Sequence, residues 1–205
     1  MGLREVKKER TRQAIAETAF GLFAERGFDH VTVAEVAEAA GVSEKTVFNY
    51  FPTKEDLFFD RVEERQAALV AAIEDRQPGE SILASLRRLQ VADCARFCNP
   101  GFAAFARIIE ESPALRAKEL EVMANFTRVL TDALHRELRL GDIDARIAAS
   151  LLVGVHWQFF VTARKIALEG RHGAAANRRL RSDLSRAYHL LEHGLAGLET
   201  PRAAS

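Results

Sequence analysis

The sequence predicts an all-α protein, on three observations. Apolar residues recur at three- and four-residue spacings along nearly the whole chain. No segment combines sustained strand alternation with hairpin turn chemistry. Gly (12) and Pro (5) are few for 205 residues, so the chain has few places to turn and long helices follow. The expected organisation is a three-helix unit over residues 1–53 and a six-helix unit over 54–205, about nine helices in total.

The elements follow in order. A first helix carries Ile15, Ala19, Leu22 and Phe23 on one stripe and stops at Gly27. A short second helix carries Val36, Ala37 and Ala40 and stops at Gly41. Its start, Thr32-Val33-Ala34-Glu35, is a capping box, with Val31 and Val36 at the hydrophobic-staple positions. A third helix runs from Glu44 to Phe51 and ends at Pro52; Ser43 caps it, with Val42 and Val47 as staple. Thr53-Lys54-Glu55-Asp56 caps a fourth, expected to run unbroken to about Asp75. Further breaks fall at Pro78-Gly79, Asn99-Pro100-Gly101, Ser112-Pro113, Gly141-Asp142 and Gly170 to Gly173. The last helix spans about 174–198.

Composition excludes several classes. Lys+Arg and Asp+Glu are both 29, which rules out a wholly basic coat and an acidic disordered tail. Two cysteines, Cys94 and Cys98, make no disulfide framework. The first residues lack an apolar signal core. The longest apolar run, 151–161, falls well short of the roughly 20 residues of a membrane span. A cytoplasmic chain without a membrane segment is expected.

Only Gly41, Val42 and Ser43 separate the second and third helices. A short helix, a three-residue turn with Gly and a second short helix form a helix-turn-helix pattern, whose second helix leads into the DNA major groove. On that helix Val47 and Phe51 point to a core. Lys45 and Asn49 share another face, and Thr46 and Tyr50 pair likewise. The exposed face thus offers Lys, Thr, Asn and Tyr, suited to base edges and phosphates. A solvated polar face on a small bundle would read the same. Arg4, Lys7, Lys8, Arg10 and Arg12 form a local basic arm able to reach phosphates.

The stretch from Thr32 to Leu57, with its Ala40-Gly41-Val42-Ser43 turn, Tyr50-Phe51 pair and Lys54-Glu55-Asp56-Leu57, resembles the DNA-binding domain of the TetR family of transcriptional regulators. Ala19, Leu22-Phe23 and Gly27-Phe28 match that family's first helix, and the likeness covers about residues 8–65. The resemblance implies DNA contacts at Thr32, Lys45, Thr46, Asn49, Tyr50 and Lys54, beside the capping Ser43. Phe48 stands where the family commonly has Tyr; without the hydroxyl it can touch a thymine methyl or pack. The resemblance also implies an effector-binding and dimerisation domain beyond residue 54.

That region carries no motif naming a ligand. Leu180, Leu184, Ala187, Leu191, Gly194 and Leu198 follow a heptad-type spacing. The run containing Leu151 and Val155 is apolar nearly all round. Both helices are expected to form a homodimer face, as a twofold reader of palindromic double-stranded DNA requires, with monomer core as the alternative. Phe97, Phe102, Phe105, Phe126, Trp157 and Phe160 could line one cavity, with Arg107, His156 and Gln158 as polar anchors for a small-molecule effector. A packed core is the equal alternative, and His156 reads better as a core histidine.

The sequence holds no phosphate loop, no Gly-x-Ser-x-Gly and no Cys/His nucleophile pair. His189 and His193 lie four apart, but two ligands do not make a metal site. No cofactor, no metal and no enzymatic activity are expected. The reading is a dimeric DNA-binding regulator, most often a repressor, released from its operator by a largely apolar effector. A helical ligand-binding protein or enzyme reusing a DNA-binding head is the runner-up.

Overall fold

The computed structural model describes residues 2–194. Among these the chain forms ten α-helices and no strand: α1 (Leu3–Arg26), α2 (Val33–Ala39), α3 (Glu44–Tyr50), α4 (Lys54–Phe58), α5 (Val62–Glu74), α6 (Ile82–Phe97), α7 (Phe102–Glu111), α8 (Pro113–Leu138), α9 (Asp142–Leu168) and α10 (Gly173–His193). A 3-10 turn at Phe28–His30 joins α1 to α2.

The cap residues explain where the short helices begin. Thr32 Oγ1 accepts the Glu35 amide at 3.2 Å, and Glu35 Oε2 accepts the Thr32 amide at 2.7 Å. Ser43 Oγ accepts from Thr46 at 3.1 Å, and Thr53 with Asp56 repeats the reciprocal pair at 3.3 and 3.0 Å. Each satisfies amides that the first helical turn leaves unpaired. Between α2 and α3, Gly41 adopts φ 67°. The Val42 amide then donates to the Ala37 carbonyl at 2.9 Å and the Gly41 amide to Glu38 at 3.1 Å. This pair of bonds is a Schellman stop, which demands a left-handed residue at Gly41.

The expected single helix over Thr53 to Asp75 is two helices, which raises the count from nine to ten. Neither Gly nor Pro marks the break at 59–61. The interruption is tertiary: the Arg12 guanidinium donates to the Asp60 carbonyl, and Val62 bonds back only to Phe59, at 3.0 Å.

The chain divides into two compact units. The first comprises residues 1–65 and 104–122, the second 66–103 and 123–205, of which 195–205 lie outside the described residues. The first unit thus takes in four short or head helices together with most of α7 and the start of α8. Its core joins Ile15, Ala19, Phe23, Val36, Val47, Phe51, Leu57 and Phe58 to Ile108, Ile109 and Leu115. Ser112 Oγ donates to Asp29 at 2.8 Å, and Lys118 pairs with Asp56 at 3.2 Å. The boundary expected from the sequence lies after residue 53.

In the second unit, α10 packs on α6 and α9. Leu86, Gln90, Cys94 and Phe97 of α6 are buried with Leu152, His156 and Phe159 of α9 and Leu180, Leu184 and Tyr188 of α10. Arg76 to Glu137 at 2.7 Å and Arg136 to Glu74 at 2.6 Å tie the α5 end to α8. Among the described residues α9 alone is long and apolar enough to suit a bilayer, a test that core helices also pass. Its buried positions, Ala145 through Ala167, lie at core-helix spacing.

Candidate nucleic-acid interface

α3 is held from below and free above. Val47 and Phe51 are 1% and 2% exposed and anchor it to the head core. Lys45, Phe48 and Asn49 are exposed, Phe48 by 48%. Phe48 thus presents an apolar edge among polar neighbours, the kind of surface that meets a thymine methyl.

The remaining predicted contacts are more constrained. Ser43 is occupied as cap, and Thr46 Oγ1 lies 2.8 Å from its hydroxyl. Tyr50 is half-buried against the head core. The Thr32 hydroxyl donates to Glu35 at 2.8 Å. Lys54, expected to reach outward, lies with its ammonium 4.2 Å from the Phe28 ring centre and 6.0 Å from that of Phe23. Partial burial lowers its pKa from the ordinary lysine value. In the basic arm Arg4, Lys7, Lys8 and Arg10 are exposed on the first turns of α1. Arg12 is a strut instead: its guanidinium sits 5.1 Å over Phe51 and binds Asp60.

Glu35 is an electrostatic centre of the head as well as a cap residue. Backbone and side-chain bonds from Thr32 and the Arg26 guanidinium, 2.6 Å away, hold its carboxyl down to about 2. The Thr-x-x-Glu spacing signalled the cap; nothing local signalled Arg26, nine residues upstream.

The residues expected to surround one effector fall into different units. Phe105 stacks on Phe58 in the first unit, with ring centres 4.7 Å apart. Arg107, also in the first unit, is exposed beside Arg26, His30 and Glu111 at a surface depression. Phe97, Phe102, Phe126 and Phe160 fall in the second unit, and helix periodicity does not say which unit a helix serves. There Phe97 contacts Phe102 at 4.9 Å and Phe160 at 4.8 Å. His156 lies between Phe160, at 5.1 Å, and Phe126, at 5.4 Å. Trp157 is half-buried under the Arg164 guanidinium, 5.6 Å from its ring, and Gln158 is exposed, not an anchor. Burial pushes the Cys94 thiol up to about 11, which makes it a poor nucleophile.

The expected dimer seam also needs correction. Leu180 and Leu184 are 1% and 3% exposed within the single chain, closing its own core against α6. Ala187 and Leu191 are half-buried, Gly194 is exposed, and Leu198 lies outside the described residues. On α9, Leu151 is exposed by 55% and Val155 is half-buried. Ile143 (74%) and Ile147 (55%), which sequence reasoning passed over, extend the Leu151 stripe at four-residue spacing.

Residues 15–60 match the family model for bacterial regulatory proteins of the tetR family. The HTH-type transcriptional regulator TcmR of Streptomyces glaucescens is 32% identical over 127 residues, 58% of this chain and 56% of that one. This chain therefore matches little more than half the length of TcmR. The nucleoid occlusion factor SlmA of Haemophilus influenzae is 30% identical over 159 residues, 71% of each chain. The solved structure of the regulator FadR from Bacillus subtilis, in complex with stearoyl-CoA, aligns with TM-score 0.54 at 20% identity, covering 89% of this chain and 98% of that one. A capped helix-turn-helix with a free recognition face, on an all-helical chain with these relatives, makes this protein a member of the TetR family of DNA-binding transcriptional regulators.

Proposed function

We propose that the protein is a homodimeric repressor that binds a palindromic operator and is released by a small, largely apolar effector. The head, residues 1–53, reads DNA; the rest binds effector and partner. The observation that carries this reading is the recognition face of α3, where Lys45, Phe48 and Asn49 stand free while Val47 and Phe51 fix the helix. Lys45 and Asn49 contact base edges, and Thr32, Thr46, Tyr50 and the α1 arm hold phosphates. Lys54 supports the head from beneath Phe28 and contributes field more than contact. The protein acts by binding, in the cytoplasm, without catalysis.

The exposed Ile143, Ile147 and Leu151 stripe of α9 supports a twofold interface. The aromatic group of Phe97, Phe102, Phe126, His156 and Phe160 supports an apolar effector site in the second unit. An effector that prefers the dimer with misplaced heads shifts the population off DNA.

Operator selection from random duplexes, followed by fluorescence anisotropy, tests the reading. Asn49→Ala is expected to cost about 1–3 kcal/mol and relax one operator position. Lys8→Ala should weaken all sequences alike and flatten the salt slope by about one. Identical behaviour of the two variants across the selected operators refutes the assignment. Acyl and aromatic compounds of low charge, screened by Trp157 fluorescence, should include one that releases the operator.

A further inference from the structure

The solvent face of α10 carries a group that regulation of DNA binding does not use. His189, Glu192 and His193 bring two ring nitrogens and a carboxylate oxygen within 4.8 Å of one another. All three are exposed, whereas Leu184 and Tyr188 of the same helix are buried. Glu192 supplies the third donor beside the two histidines.

We propose that His189, Glu192 and His193 form a binding site for a late first-row divalent cation, with Zn2+ as its reference ion. Three arguments support it. Residues at i, i+3 and i+4 share one helix face, so the donors converge without backbone movement. The imidazole rings already lie 4.1 Å apart between centres. Finally, His193 Nδ1 is 3.0 Å from the His189 carbonyl oxygen. A carbonyl only accepts, so in the neutral ring Nδ1 carries the proton and the Nε2 lone pair is left to bind metal. An outer hydrogen bond of this kind commonly orients metal-binding histidines.

Two imidazoles and one carboxylate suit Zn2+, Ni2+ or Cu2+ and not Mg2+ or Ca2+, which prefer oxygen alone. Three protein ligands leave a tetrahedral ion one position for water or another group. A bound ion would clip the last turn of α10 before Gly194, whose φ of 66° ends the helix.

Isothermal titration of the full chain, without an affinity tag and in a non-coordinating buffer, tests the site with ZnCl2 and MgCl2. The parent is expected to take up Zn2+, and His189→Gln with His193→Gln to lose one equivalent per chain while keeping its circular dichroism. Glu192→Gln should weaken that equivalent by roughly tenfold. Because all three side chains are exposed, the variants should fold as the parent does. No Zn2+ uptake by the parent, or identical uptake by the double variant, overturns the proposal. Equal competition by Mg2+ overturns its assignment to a late first-row ion.

Discussion

Replacing Phe58 tests whether the first unit is one cooperative structure. Its ring is 3% exposed and lies 4.7 to 6.5 Å from the centres of Phe105, Phe59, Phe20, Phe28 and Phe23. Phe58→Ala removes a ring from a site where several rings would have to move together to refill it. Core Phe→Ala changes cost about 3–5 kcal/mol, and this crowded position belongs near 4. Phe58→Leu, closer in volume, should cost less than about 1.5 kcal/mol. The near-parallel stack on Phe105, with an interplanar angle of 16°, adds a separable part. A double-mutant cycle of Phe58→Leu and Phe105→Leu should give a coupling of about 0.5–1.5 kcal/mol. Urea unfolding followed by circular dichroism measures all of these. Trp157, the one tryptophan, lies in the second unit and reports poorly on the first. A Phe58→Ala cost under about 2 kcal/mol, or an additive cycle, would refute a single aromatic core spanning head and 104–122.

Three further outcomes are expected. Glu35 titrates at about 2, below the ordinary 4.5, so its charged bonds stabilise the fold above pH 4.5 and that stabilisation is lost as pH falls toward 2. The melting-temperature gap between parent and Glu35→Gln should accordingly shrink across that window, and a constant gap would contradict the cause assigned. Gly41→Ala meets open space but must adopt φ 67°, so thermal unfolding should register a loss of about 1–2 kcal/mol. Ile147→Lys with Leu151→Lys, both exposed in the single chain, should yield folded monomer by light scattering; an intact dimer would move the interface elsewhere.

What could be read from the sequence was local. Thr32, Ser43 and Thr53 each bond three residues ahead, so their spacing alone located three helix starts. The break at 59–61 could not be read, because its cause is Arg12, 48 residues away. Leu180 and Leu184, buried within the single chain, show a related limit: a three-four spacing gives the same signal whether the covering helix is α6 of the same chain or a helix of another. Phe105 and Phe97 are alike in composition and periodicity, yet serve different units. The free face of α3 was legible because Val47 and Phe51, which bury it on one side, fix what the other side must present.

The composition of the first unit also sets a timetable for the ribosome. Ile108, Ile109 and Leu115 close the head's core, yet they are synthesised well after Phe58. At roughly 5–20 residues per second, the nascent head waits about 3–10 s for them with an apolar flank uncovered. During that interval all of residues 66–103 emerges, so early elements of the second unit are available before the first can be finished. Translation pauses or chaperone capture in this window would fall on the DNA-reading head, although it is the first part of the chain to be made.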